Sequence, residues 1–441
     1  VTTVTPRDVA LDALVKVDDG AYANVLLPTL LRSTGLESRE RAQTTDLVYG
    51  TLRRRRALDA LLEPLLDRDL DDLDAAVRAA LRLGAYQLVD GVPAHAAVSE
   101  TVGAVARVAP RAKGYANAVL RRLSEVGPPW PWPEGDDPRA VGIRTSMPDW
   151  IVARLFADLG PEDARAALEL ASEPAALTLR ANPRRTTSDR LTAELEGTGA
   201  RVERGELLPN ALIVRGVGDT GELAAIAEGR ATPQDQGSQA VAAAVGAVAG
   251  ERVLEVGAAP GGKATALAEA MDDRGLVVAV DVRANRLALV DRASIRLGLD
   301  SVDSVTADGR ALPFRPGTFD RVLVDAPCSG LGVLRRRPEA RWRIQAAAVD
   351  ELAALQRELL AAAAALVRPG GRLVYSVCTL TAAETTRVDD WARTALPDLV
   401  AEPPPAAPWR EWGRGALLLP QAAGTDGMYL LTLTRSADAQ R

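Results

Sequence analysis

Arg252-Val-Leu-Glu-Val-Gly-Ala-Ala-Pro-Gly-Gly-Lys-Ala-Thr-Ala-Leu267 is the stretch on which the reading of this chain turns. Its opening, Val253-Leu254-Glu255-Val256, is the apolar run of a buried parallel strand. Small residues from Gly257 to Gly262 then form a tight turn, and a helical pattern follows with Leu267 and Met271 on one face. A strand, a glycine turn and a helix in that order bring backbone close to a ligand and aim a helix N-terminus at it.

Three nucleotide-binding patterns compete for this stretch. The G-x-G-x-x-G spacing of a dinucleotide fold is absent. Gly257 to Lys263 reads G-x-x-x-x-G-K, but a P-loop continues with Ser or Thr to ligate Mg²⁺, and Ala264 stands there. The third pattern is an S-adenosylmethionine (SAM) site on the first strand of a methyltransferase sheet. It expects an acid at the end of the second strand, and Val277-Val278-Ala279-Val280-Asp281 supplies one whose carboxylate can accept both ribose hydroxyls. A purely structural glycine turn is the plain alternative.

The rest of the chain bounds these readings. A length of 441 residues suggests two or three domains, and a composition 47% apolar and 25% charged is globular. No long uncharged apolar run predicts a membrane span, and the first residues lack the charged start and apolar centre of a signal peptide. With two cysteines, Cys328 and Cys378, the chain is no disulfide scaffold, so a reducing cytoplasm is expected. The one histidine, His95, excludes a Ser-His-Asp triad and a multi-histidine metal site, and a structural role is expected of it. No metal is expected, and the chain is expected to act as a monomer. The net charge of −6 argues against a general nucleic-acid binder. Arginines nevertheless cluster at 53–56, 184–185 and 335–343, and binding needs only a local positive surface.

Residues 1–127 read as all helix, from apolar spacings such as Val77, Leu81, Gly84 and Leu88. Three strings stand out there: Leu47-Val-Tyr-Gly-Thr-Leu-Arg53, Leu81-Arg-Leu-Gly-Ala-Tyr-Gln-Leu88 and Ala116-Asn-Ala-Val-Leu-Arg-Arg122. In this order and spacing they resemble the NusB-type RNA-binding domain. A proline-rich stretch at 128–140 reads as a linker, where Trp130 and Trp132 are expected to pack between domains. Residues 141–232 read as a small α/β subdomain, with a helix over 150–170, strands at 177–181 and 211–214, and a helix at 188–196. From 233 to 441, strands at 277–281, 302–306, 320–325, 372–376 and 429–434 alternate with helices at 284–297, 341–367 and 382–394. Such repeats imply a doubly wound sheet whose ligands sit at the carboxyl ends of the strands. SAM binding is expected to need only residues from about 141 onward.

Two further strings carry chemistry: Phe319-Asp-Arg-Val-Leu-Val-Asp-Ala-Pro-Cys-Ser-Gly330 and Leu373-Val-Tyr-Ser-Val-Cys-Thr-Leu380. Each ends an apolar strand in a cysteine, so one parallel sheet would open both thiols onto one rim. A thiolate suits C5 of a pyrimidine, which is too weak a nucleophile to attack a methyl sulfonium unaided. Addition at C6 makes C5 enamine-like and splits one hard step into easier ones. Asp325 is expected to protonate or hydrogen-bond N3, which would require a neutral acid.

The whole set resembles the RNA 5-methylcytosine methyltransferases with two active-site cysteines. With the helical segment it resembles the bacterial 16S rRNA enzymes of the Fmu/Sun (RsmB) type, over essentially the whole chain. The resemblance implies an all-α NusB-like domain, a small α/β domain and a Rossmann-like SAM methyltransferase domain. It implies that Gly257, Ala258, Ala259, Pro260, Gly261, Gly262 and Lys263 hold the methionine part of SAM, with Asp281 on the ribose, Asp308 near the adenine and Asp325 also at the cofactor. It makes Cys378 the nucleophile and Cys328 the group that assists product release. Through Cys328-Ser-Gly-Leu-Gly-Val-Leu-Arg-Arg-Arg-Pro-Glu-Ala-Arg-Trp342 it assigns Arg335, Arg336, Arg337, Arg341 and Arg343 to RNA phosphates, with 16S rRNA as partner. Glu255 and Gly257 depart from the usual Asp and Cys, Val377 from Thr, and Met428-Tyr429 from two phenylalanines. A P-loop NTPase and a non-catalytic RNA-binding assembly factor remain the alternatives.

Overall fold

The computed structural model describes residues 4–217, 221 and 223–437. Packing gathers them into two units. One comprises the chain up to Ala157, Ala164–Pro174 and Leu334–Arg343; the other comprises Asp158–Asp163, Ala175–Val333 and the chain from Ile344 onward. This grouping differs from the expected boundaries at 127, 140 and 232.

The first unit is helical. Its principal helices are Pro6–Asp18, Ala23–Arg32, Ser38–Arg53, Arg55–Leu62, Ala75–Val89, Ala94–Val108, Lys113–Val126 and Pro138–Arg144. Thr5 opens the first with a reciprocal capping box to Asp8. Leu11, Leu14, Val48, Leu52, Leu81, Leu83, Leu120 and Leu123 form its core. The glycines of the two Leu-rich strings exist for close approach. A Cβ on Gly50 would meet the Tyr86 ring at 2.1 Å, and one on Gly84 would meet Leu120 at 2.6 Å. Trp130 and Trp132 pack against this same core.

The second unit holds two sheets. Strands β1 (Leu177–Ala181), β2 (Arg201–Arg204), β3 (Ala211–Arg215) and β4 (Ala231–Pro233) make an antiparallel sheet in the order β2-β3-β1-β4. The helix Ser188–Glu196 buries Leu191 and Leu195 in its core with Leu179, Leu212 and Val214. The larger sheet contains β5 (Arg252–Val256), β6 (Leu276–Asp281), β7 (Val302–Thr306), β8 (Phe319–Asp325) and β9 (Val367–Val377). They are followed by β10 (Leu399–Ala401), β11 (Arg410–Trp412), β12 (Gly415–Leu418) and β13 (Met428–Arg435). Its order is β11-β12-β13-β9-β8-β5-β6-β7, with β10 beside β13. From β7 to β9 the pairs are parallel, and β13 returns antiparallel to β9 with Tyr429 opposite Val377. The fold is thus a helical N-terminal domain, a small α/β domain and a Rossmann-like sheet.

Three local readings change. The helix expected over 150–170 is two, Asp149–Leu159 and Pro161–Ala171, because Gly160 takes φ +83° and Pro161 starts the second. The helix expected from 341 begins at Ala346, after a 3-10 turn at Pro338–Trp342. The helix expected from 382 is a short 3-10 turn, Ala382–Glu384, followed by Thr386–Ala395.

Candidate active site

The sheet reverses direction of growth at β5. The chain runs outward through β6 and β7, then crosses back to place β8 on the other side of β5. A crevice opens outside the carboxyl ends of strands at such a point. Val256 pairs with both Val280 and Val324, and Asp325 pairs with Ser376. The register therefore brings Gly257, Asp281, Asp325 and Cys378 to one rim.

Gly257 leaves β5 at φ +83°, where a Cβ would stand 2.2 Å from the Asp325 carbonyl oxygen. The amides of Gly257 and Ala258 both donate to Val280 O. Gly261, at φ +101°, precedes the helix Gly262–Ala270, and a Cβ there would lie 3.0 Å from Val290 Cα. Ala258 and Ala259 are buried beneath the turn and Pro260 is exposed. Only glycine fits at the two bends. The P-loop reading fails locally. Ala264 is buried without a hydroxyl, and the next hydroxyl, Thr265 Oγ1, donates to Gly261 O and accepts from Arg180.

Asp281 is buried at the end of β6, where its Oδ1 accepts from Arg283 N at 3.0 Å and its Oδ2 lies 3.2 Å from Arg286 Nη1. Arg286 also donates to Ala259 O, so it bridges the acid and the glycine turn. Asp308, just past β7, is half-buried. Arg310 holds both its oxygens through side-chain and backbone donors, lowering the carboxyl to about 2.

Lys263 Nζ donates to Asp325 Oδ2 at 2.7 Å. Burial alone would lower the Lys263 ammonium, but Asp325 and Glu255 outweigh it and hold the group above its ordinary value. Asp325 accepts in this pair, so the neutral proton donor expected at N3 is not the form that the geometry favours. Glu255 is wholly buried; burial, reinforced by the Asp325 charge, pushes its carboxyl well above the ordinary range.

The two cysteines meet. Cys328 Sγ lies 3.3 Å from Cys378 Sγ. The bond to Cys378, burial, and the charges of Cys378 and Glu384 push the Cys328 thiol well up. The same bond pulls Cys378 down against its burial and the Asp325 charge, with some help from Lys263. Either sulfur can donate in this contact, and the two opposite shifts favour the thiolate on Cys378. Behind them lies a residue that the sequence reading did not single out. Glu384 is fully buried and accepts from Ser329, Thr379, Thr381 and Gln356. Its sequence signal was an acid six residues past Cys378 in a run of hydroxyls.

The arginine cluster requires a correction. Arg341, expected on RNA phosphate, is fully buried. Its guanidinium donates to the carbonyls of Arg53, Thr145, Ser146, Ala171 and Leu334, and burial lowers it to about 9. Arg343 donates to Val17 O and Ala21 O and lies over the Tyr22 ring. Arg335 donates to Pro174 O, Arg336 is half-buried and Arg337 is exposed. Glu339 accepts from Ala23 N. The 334–343 segment thus depends on partners before residue 54, so a fragment starting near 141 would strand these buried groups.

Among the described residues, no three His, Cys, Asp or Glu side chains are grouped to hold a metal ion. No helix there is long and apolar enough to cross a membrane.

Comparison with known proteins identifies the family. The family described as 16S rRNA methyltransferase RsmB/F matches residues 242–434. The NusB family matches 4–125, and a ferredoxin-like domain of RsmF/B-like methyltransferases matches 147–220. A Bacillus subtilis (strain 168) protein described as "Probable ribosomal RNA small subunit methyltransferase B" is 34% identical, covering 97% of this chain and 98% of its own. "Ribosomal RNA small subunit methyltransferase B" of Pseudomonas syringae pv. tomato is 36% identical over 99% and 98%. The solved structure described as PH0851 shares the fold, with a TM-score of 0.84 at 24% identity over 98% of this chain and 99% of that one. The chain belongs to the RsmB/F family of 16S rRNA methyltransferases and is a SAM-dependent rRNA methyltransferase of that type.

Proposed function

We propose that this enzyme methylates C5 of a cytosine in 16S rRNA through a covalent bond between Cys378 and C6. The observation that carries the reading is the thiol pair, 3.3 Å apart on the rim that also bears Lys263, Asp325 and the glycine turn. A methyltransferase acting on an exocyclic nitrogen or a ribose hydroxyl has no use for two adjacent thiols at this rim.

The residues at the rim fit SAM. Gly257 and Gly261 leave a cradle that a Cβ would fill, and the Asp281 carboxylate stands at the second strand end. Gly257 to Lys263 would hold the methionine part, Asp281 the ribose and Asp308 the adenine edge. Bound there, SAM supplies an electrophilic methyl group. The chain's own residues do the rest. Cys378 adds as thiolate to C6, and the C5–C6 π electrons move onto C5, which becomes nucleophilic. After methylation C5 carries a proton as well as the methyl group. Loss of that proton returns its electron pair to the C5–C6 bond and expels Cys378. Cys328 assists this second half. Asp325, held as acceptor by Lys263, is suited to the N4 amino group, a donor that cytosine has and uracil lacks.

The helical segment 1–127 is proposed to dock RNA, with 141–232 and 233–441 as the small and catalytic domains. Phosphate contacts from the arginine cluster are proposed for Arg335, Arg336 and Arg337, of which Arg337 is the most open. The enzyme is proposed to act as a cytoplasmic monomer. Nucleoside analysis of 16S rRNA incubated with the protein and SAM tests the reading. It expects 5-methylcytidine, and methylation confined to any other nucleoside position would overturn it.

A further inference from the structure

Two thiols 3.3 Å apart could share their proton either way, and chemistry needs one defined nucleophile. What distinguishes them is the buried carboxylate of Glu384. Glu384 ends a short 3-10 turn, Ala382–Glu384, and is wholly buried. Its Oε1 accepts from Ser329 N at 2.8 Å and from Gln356 Nε2 at 3.1 Å. Its Oε2 accepts from Ser329 Oγ at 2.5 Å, Thr381 Oγ1 at 2.9 Å and Thr379 Oγ1 at 3.0 Å. Ser329 follows Cys328 and Thr379 follows Cys378, and their hydroxyls meet each other at 2.7 Å. Gln356 also donates to Pro327 O, on the other side of Cys328, and Tyr375 donates to Gln356 Oε1 and to Glu384 O. A second tie closes the frame. Gly332 N donates to Cys378 O, and a Cβ on Gly332 would lie 2.2 Å from Gly427 O.

We propose that Glu384 is a positioning residue that sets the polarity of the cysteine pair. It ties the loop of Cys328 to the loop of Cys378 and places its carboxylate against the backbone next to Cys328. The inference rests on the proposed use of Cys378 as nucleophile. Ser329, Gln356, Thr379 and Thr381 converge on one buried carboxylate, so both its oxygens have hydrogen-bond partners away from water. Both carboxylate oxygens bond Ser329, at 2.8 and 2.5 Å, whereas only Oε2 reaches the Cys378 loop, through Thr381 and Thr379 at 2.9 and 3.0 Å, so the negative charge is held closer to the Cys328 loop. It disfavours a second negative charge on Cys328, in line with the raised Cys328 thiol. Cys328 then remains the donor and Cys378 takes the thiolate. The charged groups facing Cys378 are Lys263, Asp325 and Asp426; those facing Cys328 are Glu384 and the Tyr375 phenol. Lys263 favours charge on Cys378 while Asp325 and Asp426 oppose it, and Glu384 opposes charge on Cys328, so removing the Glu384 charge is expected to shift the balance toward Cys328.

The test is thiol mapping in the full chain without RNA, so it stands apart from product analysis. Wild type and Glu384→Gln are treated briefly with iodoacetamide across a pH series, and Cys328 and Cys378 are quantified separately by mass spectrometry. Far-UV circular dichroism and SAM titration report on folding. Wild type should label Cys378 first. Glu384→Gln keeps the shape but loses the charge and an acceptor, so the Cys378-to-Cys328 labelling ratio should fall about tenfold, as for a relative shift of one pH unit. Glu384→Asp, which restores the charge, should recover part of the preference. A folded, SAM-binding Glu384→Gln protein with the wild-type ratio overturns the proposal. Should that variant not fold, Ser329→Ala removes the hydroxyl tie beside Cys328 and is read in the same way. A wild-type ratio there overturns the proposal too.

Discussion

Lys263 Nζ sits 2.7 Å from Asp325 Oδ2, joining the glycine turn after β5 to the end of β8. The two side chains are mostly withdrawn from solvent, 11% and 26% exposed, so the pair is weakly screened. Lys263→Met removes the ammonium and strands the acid beside buried Glu255. The expected cost is about 3 kcal/mol of unfolding free energy, toward the low end for breaking a buried pair because water still reaches Asp325. Urea denaturation measures it, and methyl transfer should fall in parallel because Cys378 also loses its nearest cation.

Asp281→Ala should weaken SAM binding by about tenfold or more, since each hydrogen bond from a ribose hydroxyl to a charged acceptor is worth roughly 1.5–3 kcal/mol. Calorimetry of the full chain measures this. Unchanged affinity would place the ribose elsewhere on the rim.

Arg341 and Arg337 should separate by their salt dependence. Arg341→Met leaves five carbonyls without their donor, costing on the order of 3 kcal/mol or more in stability. It should leave the salt slope of RNA binding unchanged in protein that remains folded. Arg337→Ala should cost little stability and reduce that slope by about 1, as loss of one phosphate contact does. A reduced slope for Arg341→Met would return it to the RNA surface. A 141–441 fragment, lacking Val17, Ala21, Ala23 and Arg53, should show a lower melting temperature than the full chain.

The thiol pair predicts a pH dependence with a definite sign. Cys378 is lowered, so its thiolate persists to lower pH than a free thiol's; Cys328 is raised, so it stays a donor to higher pH. Methyl transfer at saturating SAM should rise with pH through the Cys378 value and hold until Cys328 deprotonates. In Cys328→Ala the donor is gone, so the pH midpoint for Cys378 alkylation should move up toward that of a free thiol, about 8.5. An unmoved midpoint would mean that the sulfur contact does not set the thiolate.

Much of this was written in local sequence. Gly257 and Gly261 stand where the backbone admits no side chain, and β5, β6, β8 and β9 carry apolar runs. The long strands β8 and β9 carried both cysteines to one rim as their strings implied. Short strands such as β2, β10, β11 and β12 escaped notice because three or four edge residues carry too little pattern to register. Arg341 misled for a different reason. An arginine in a basic run looks the same whether its partners are phosphates or carbonyls, and here the carbonyls come from residues far away in the chain. Glu384 was only faintly legible: an acid six residues past Cys378 in a run of hydroxyls does not reveal that Ser329 and Gln356 will turn toward it.

The covalent reading is tested most directly on a denaturing gel of protein incubated with 16S rRNA. Cys378 makes the bond to C6 and Cys328 acts after methylation. Cys328→Ser with SAM should therefore accumulate a protein–RNA adduct that survives denaturation, and Cys378→Ser should form none. An adduct with Cys378→Ser but not with Cys328→Ser would reverse the two roles, and no adduct with either variant would contradict the covalent mechanism.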